Sequence, residues 1–125
     1  MQLPDIEIYV KNTTPDLIED WLDDRFDSVE LVNKEGRTHQ YNVDWQGMNI
    51  PVMVVERAAG RAFTSIWFNS AETPWETDIE CARDAFEFFD TEIRCNGTFW
   101  QEEEAADNEW WRITHQGEGI ISWQE

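Results

Sequence analysis

The sequence predicts an α+β fold, with a mainly antiparallel sheet and two amphipathic helices, from three observations. Several short segments alternate apolar and polar residues with the period of two that is typical of β-strands. Two other segments carry apolar residues at helical spacing behind a Thr-Pro start signal. The length of 125 residues corresponds to one domain of ordinary size, and the composition changes nowhere as it would at a linker. We therefore expect a single domain over residues 1–125.

The first half of the chain predicts a strand, a helix and three more strands. Ile6, Ile8 and Val10 alternate with more polar neighbours, as in a half-buried strand. Thr14 and Pro15 then supply an N-cap residue and a proline suited to the first helical position. The apolar stripe of this helix contains Leu17, Ile18, Trp21, Leu22 and Phe26. Turn signals separate the three strands that follow: one begins at Val29 and Leu31 and ends at the turn of residues 33–36, and the others span residues 38–45 and 50–56.

The second half predicts the same order of elements. After a strand at residues 62–68, Thr73 and Pro74 again supply a cap and a proline, so we expect the second helix to begin there. Its apolar stripe contains Trp75, Ile79, Ala82, Phe86 and Phe89. The remaining residues predict an extended segment at 92–101 with a bend at Gly97, an acidic loop at 102–108, and strands at 109–115 and 120–123.

The two halves predict pseudo-repeats of a β-α-β-β-β module at about residues 1–58 and 59–125. The clearest correspondence sets residues 41–47 over 111–117, since both segments end in Gln-Gly. Two such modules in a chain of this size resemble the vicinal oxygen chelate proteins, which include glyoxalases, extradiol dioxygenases and bleomycin-resistance proteins. The resemblance covers nearly the whole chain and depends on module order, without a diagnostic motif.

This resemblance implies two sheets that form a cleft between them. Catalytic members of the family hold a divalent metal with His, Gln or Glu side chains from the first and last strands of the modules. The matching strands of this chain offer Glu7, Glu56 and Glu125 but no histidine. The resemblance therefore implies the binding branch of the family or a degenerate enzyme, and we expect neither a metal nor a cofactor.

Acidic residues dominate the charge of the chain, with 27 Asp plus Glu against 9 Lys plus Arg and a formal net charge of -18. Nucleic acids and anionic membranes carry charge of the same sign, so we expect no direct binding to either. Four carboxylates recur at helical spacing and are expected on one face of the first helix: Asp16, Asp20, Asp23 and Asp27. This face predicts a docking surface for a basic protein partner, and the alternative is a solvated surface suited to a salty habitat.

Tryptophans supply the second candidate site. The chain has eight, and this aromatic content excludes an acidic disordered tail. Six fall on predicted strands: Trp45, Trp67, Trp100, Trp110, Trp111 and Trp123. Tryptophan is favoured in ligand pockets and at partner interfaces, and core packing is the alternative explanation. We consider a pocket that contains Trp45, Trp111 and His115.

Other chemistry has little support in the sequence. Phosphate-binding loops, nucleophile elbows and zinc-protease helices are absent, so we expect a protein without catalytic activity. His39 and His115 are the only histidines and have no ligand spacing, and Cys81 and Cys95 are expected to be buried, reduced thiols. The sequence begins without the features of a signal peptide and has no apolar run of the ~20 residues that span a bilayer, which predicts a cytoplasmic protein.

The functional prediction is a small acidic binding module for a basic protein partner. The alternative is a cleft protein that binds a small molecule, or a degenerate enzyme of vicinal oxygen chelate type, with a tryptophan-lined site.

Overall fold

A computed structural model describes residues 5–70, 72–96 and 109–122. Its elements in chain order are β1 (Ile6–Lys11), α1 (Pro15–Arg25), β2 (Ser28–Glu35), β3 (Thr38–Trp45), β4 (Met48–Ala59), β5 (Phe63–Phe68), α2 (Asp78–Phe89), β6 (Ile93–Asn96), β7 (Glu109–Thr114) and β8 (Gly117–Ser122). The predicted α+β class with two helices is confirmed. Four predicted features lie outside the described residues: the bend at Gly97, the acidic loop at 102–108, and the strand positions of Trp100 and Trp123.

The eight described strands form one sheet in the order β2-β3-β4-β5-β1-β6-β7-β8. Every neighbouring pair runs antiparallel, as the sequence predicts. β1 lies at the centre, where it pairs with β5 on one side and β6 on the other. The two three-stranded meanders, β2–β4 and β6–β8, flank the central strands β5 and β1.

Each half of the chain has the predicted order of one strand, one helix and three strands. The meanders run in opposite senses, however, because β2 is the outermost strand of the first and β6 is the innermost strand of the second. All described strands also belong to a single sheet, whereas the family resemblance implies two. The repeated element order is thus present, and the duplication itself stays a prediction.

The starts of the two helices test the cap signals. Thr14 caps α1, its hydroxyl oxygen accepting the Leu17 N–H at 3.3 Å, and Pro15 is the first helical residue, as predicted. α2 begins at Asp78, so the predicted start at Thr73 and Pro74 is wrong. Thr77 is the cap and accepts the Glu80 N–H at 3.1 Å, because the sequence Thr-x-x-Glu forms a second start signal four residues later.

Both helices cover the same face of the sheet. The strand residues on that face are aligned by register across the sheet, as in Ile8 opposite Ile66 and Ile66 opposite Val54. All three are 0% exposed and belong to one apolar cluster with residues of α1 and α2. Because side chains alternate between the faces of a strand, the intervening residues lie on the opposite, helix-free face. The core is therefore a single layer between helices and sheet.

Aromatic rings fill the space where the two helices meet above the sheet. Trp21 of α1 is 0% exposed and stacks on Trp75 with 5.5 Å between ring centroids. Its ring also contacts Phe68 of β5 at 6.0 Å and Phe89 of α2 at 5.4 Å. Trp45 packs at the border of this group, 6.1 Å from Phe26. Much of the tryptophan content therefore serves core packing.

A part-buried ion pair joins the last residue of α1 to the middle of α2. The Arg25 guanidinium donates to Asp84 through Nε at 2.8 Å and through a terminal nitrogen at 2.6 Å. Asp84 also accepts the Trp75 indole N–H at 2.9 Å. A bidentate pair with a third donor fixes both side chains, so α1 and α2 are held in one relative position.

The two cysteines are free and fully buried, which confirms the prediction of buried thiols. Cys81 lies on α2 and Cys95 on β6, and both side chains are 0% exposed. Removal from water raises the pKa of each thiol above its ordinary value. The thiolate, which is the reactive form, is therefore disfavoured at neutral pH.

Trp21→Ala should lower the free energy of unfolding by about 3–5 kcal/mol, because it leaves a cavity among the aromatic rings. Trp21→Phe should cost less, since it keeps a ring and removes an indole N–H that has no hydrogen-bond partner within the described residues. Urea unfolding measures both. Leu17→Ala is the control on the same helix, because Leu17 is 46% exposed, and a loss equal to that of Trp21→Ala would contradict the assigned core.

Candidate functional site

The acidic surface of α1 is formed by Asp16, Asp20 and Asp23, which are exposed and follow one another at helical spacing. We call these three residues the α1 acidic face. The prediction that Asp27 belongs to it is wrong, because α1 ends at Arg25. Asp27 instead accepts the backbone N–H of Gln46 at 3.0 Å, at the turn between β3 and β4.

Among the described residues, none of the α1 acidic face carboxylates forms an ion pair. Arg25, the only cation on the helix, is already paired with Asp24 and Asp84. Negative charge also extends to the neighbouring Glu19, whose carboxylate accepts the Tyr41 hydroxyl at 2.9 Å. Burial, followed by this carboxylate, raises the pKa of Tyr41. The surface around α1 is therefore negative and uncompensated.

The three residues of the predicted aromatic pocket are not brought together. Trp45 lies on β3, Trp111 lies on β7, and His115 follows β7 in the turn to β8. Four strands stand between β3 and β7, at roughly 4.8 Å per strand step. The prediction of a pocket formed by these three residues is therefore wrong. The distance between Trp45 and Trp111 is set by the order of strands in the sheet, and local sequence patterns do not indicate that order.

His115 instead lines a groove between α2 and the β7–β8 hairpin, and Trp111 contacts one of the lining residues, Glu118. The indole N–H of Trp111 donates to Glu118 at 3.0 Å, and the Arg83 guanidinium bonds the same carboxylate at 3.1 Å. His115 Nε2 lies 2.6 Å from Asp90 Oδ1, and its ring centroid is 5.1 Å from that of Phe86. The groove has a volume of about 390 Å³ and is lined by the apolar Phe86 and Ile113, by the paired Arg83 and Glu118, and by Glu87, which forms no ion pair within the described residues.

A carboxylate pair missed by the sequence prediction links α2 to β1. Asp78, the first residue of α2, lies near Glu7 and Asp5 and accepts a hydrogen bond from the Glu7 backbone. Burial, with the charges of Asp5 and Glu7, raises the pKa of Asp78 to about 7. Burial and the charge of Asp5 also raise the pKa of Glu7. The packing of α2 on β1 places these residues together, so no spacing in the sequence indicates them.

The residues matched to metal positions by the family resemblance are dispersed. Glu7 lies on β1 and Glu56 on β4, with β5 between these strands. The Glu56 carboxylate is hydrogen-bonded to the buried His39, with 2.8 Å between its oxygen and His39 Nε2. Glu125 lies outside the described residues. Over the described part of the chain, no three His, Cys, Asp or Glu side chains are grouped so that they could hold a metal ion.

Comparisons of the chain with protein-family models, with curated proteins and with solved structures found no match. Neither described helix has the length and apolar character needed to cross a membrane. Function must therefore be inferred from the geometry and charge of the described surfaces. Of these surfaces, the α1 acidic face is the one whose exposed carboxylates have no cationic partner among the described residues.

Asp78→Asn should stabilise the protein in a pH-dependent way. The folded-state pKa of about 7 exceeds the ordinary 3.8, so the stability linked to the protonated carboxyl is fully present below pH 3.8 and is lost as pH rises through about 7. We expect the variant to match the stability of the parent near pH 4 and to be more stable at pH 8, by on the order of 4 kcal/mol, since each pKa unit corresponds to about 1.4 kcal/mol. Urea unfolding at both pH values measures this difference. Asp23→Asn, at an exposed position, is the control. Equal free energies of unfolding for the parent and Asp78→Asn at pH 8 would show that the charged Asp78 carboxylate does not destabilise the folded protein.

Proposed function

We propose that the protein is a non-catalytic binding module whose α1 acidic face binds a basic segment of a partner protein. The observation that carries this proposal is that Asp16, Asp20 and Asp23 are exposed on one helix with no cationic partner among the described residues. Like charges at such spacing weaken an isolated helix, so a bound cation would relieve a repulsion that folding leaves in place.

The spacing of the α1 acidic face suits a short basic segment. Asp16 and Asp23 are seven positions apart, which at ~1.5 Å per residue corresponds to about 10 Å along the helix axis. Neighbouring carboxylates are three or four positions apart, about 5–6 Å along the axis, which is close to the spacing of arginine or lysine side chains one helical turn or two extended residues apart. Exposed charges lose little hydration on contact and chiefly accelerate association and select the partner.

Rigid support favours this helix as a docking element. The opposite side of α1 is buried through Ile18, Trp21 and Leu22. Its last turn is fixed by the Arg25–Asp84 pair. A partner would therefore meet carboxylates on an already ordered helix and would not have to order it on binding.

The groove beside α2 supports the alternative of a small-molecule site. Its volume of about 390 Å³ falls in the usual range for ligand sites, and Phe86 provides an apolar contact. A ligand would have to displace the pairs of Arg83 with Glu118 and of His115 with Asp90, which makes this function the second candidate.

The relation to the vicinal oxygen chelate proteins also stays a proposal. It is supported by the repeated element order and by a Gln-Gly sequence at both hairpins, although Gln46-Gly47 forms the first turn whereas Gly117 already begins β8. The opposite senses of the two meanders count against a simple duplication. Such a relation would favour the cleft function over the docking function.

The docking proposal predicts salt-dependent binding of an arginine-rich synthetic peptide, measured by calorimetry or anisotropy at ~0.05 M and ~0.3 M salt. Screening should weaken binding about tenfold or more over this range. Asp16→Asn/Asp20→Asn/Asp23→Asn should lose most of the affinity, because it removes the charges that face the peptide.

Glu35→Gln/Glu72→Gln/Glu76→Gln is the matched control, since it removes the same charge from exposed positions outside α1. The control should lose far less affinity than the α1 variant. Equal losses would show that the peptide responds only to net charge, and the proposed face would then be wrong.

A further inference from the structure

The helix-free face of the sheet has a depression of about 250 Å³ across β3, β4 and β5. We propose that this depression binds a neutral saccharide. The inference is independent of the α1 acidic face, which lies on the helix side of the molecule. It depends on the side chains that strand register places in the depression, among them Gln40, Asn42, Met53, Trp67 and Asn69.

Register sets these side chains in two adjacent rows. Gln40 pairs with Met53, and Met53 pairs with Trp67, so one row crosses the three strands. In the next row Asn42 pairs with Pro51, whose carbonyl accepts the Asn69 backbone N–H at 2.9 Å. At ~4.8 Å between strands and ~7 Å between rows, the lining covers the footprint of one or two sugar rings.

The amide groups of Gln40, Asn42 and Asn69 make the lining suitable for hydroxyl groups. Each primary amide carries two donor hydrogens and an acceptor oxygen. Hydrogen bonds between described residues leave all three of these side-chain amides unused. A saccharide hydroxyl also donates and accepts, so it can satisfy both kinds of group at once. A purely apolar ligand would leave them unpaired.

Trp67 supplies the apolar surface that a sugar ring needs. Its side chain is half-buried, next to Met53, and its indole N–H donates to the Asp5 carboxylate. This hydrogen bond fixes the ring and leaves no indole donor to be satisfied by the ligand. An aromatic ring of this size offers a large contact area at low conformational cost, suited to the C–H face of a pyranose.

Charge selects a neutral ligand. None of the described residues that line the depression is charged, although the chain has a formal net charge of -18. Carboxylates stand beside both rows, with Glu30 opposite Asn42 and Glu7 opposite Trp67. Phosphorylated or carboxylated sugars would therefore be repelled. A second copy of the chain would meet the same negative charge, so self-association is the less favoured occupant.

The test is a titration of ¹⁵N-labelled protein with maltose, cellobiose and chitobiose, followed by NMR. We expect at least one disaccharide to shift the Trp67 indole and the Gln40, Asn42 and Asn69 amide resonances, with an affinity that does not depend on salt. Glucose 6-phosphate, the anionic probe, should not shift them.

Gln40→Ala/Asn42→Ala should weaken that binding about tenfold, as expected for two lost hydrogen bonds. Trp67→Phe tests the ring with a smaller risk to folding than Trp67→Ala. Gln116→Ala is the control, because it removes an exposed amide from the β7–β8 hairpin, away from the depression, and should bind like the parent.

Three results would overturn the proposal: no shifts with any of the three disaccharides, binding that survives Gln40→Ala/Asn42→Ala, or shifts that follow protein concentration alone. The last result would assign the face to a second copy of the chain. None of them bears on peptide binding at α1, so the two proposals can fail separately.

Discussion

The pairing of β1 with two partners is the constraint on which the rest of the structure depends. β1 hydrogen-bonds to β5 on one edge and to β6 on the other, and among the described strands it joins β6–β8 to the rest of the sheet. Its inward residues Ile6, Ile8 and Val10 are at most 1% exposed. Without this strand the chain would hold two smaller sheets, each with a new open edge. The shared apolar face on which both helices pack exists because β1 joins them.

Because the helices cover one face of the sheet, the two sides of the molecule expose different kinds of side chain. The helix side exposes carboxylates, as on the α1 acidic face, because charged residues occupy the outer sides of both helices. Strand side chains supply the other side, and across β3 to β5 these are amides, Met53 and Trp67. A strongly acidic protein thus has one negative side and one locally neutral area, suited to different kinds of partner.

The parts of this structure that were predictable from sequence are those decided by local chemistry. The Thr14-Pro15 start of α1 was found because an N-cap and its proline are adjacent in the chain. The start of α2 was misplaced because two local signals compete within five residues, and burial of Trp75 selects the later one. The separation of Trp45 from Trp111 depends on strand order, and the approach of Asp78 to Glu7 joins segments about 70 residues apart. No local pattern records either relation.

Burial of both thiols, on two elements that pack together, has a practical consequence for the study of motion. A maleimide or iodoacetamide reagent cannot reach Cys81 or Cys95 while α2 rests on β6, since both are 0% exposed. Alkylation must therefore wait for the helix to lift from the sheet or for the chain to unfold. The rate at which these native thiols are alkylated therefore reports how often the protein opens between α2 and β6, without an introduced label.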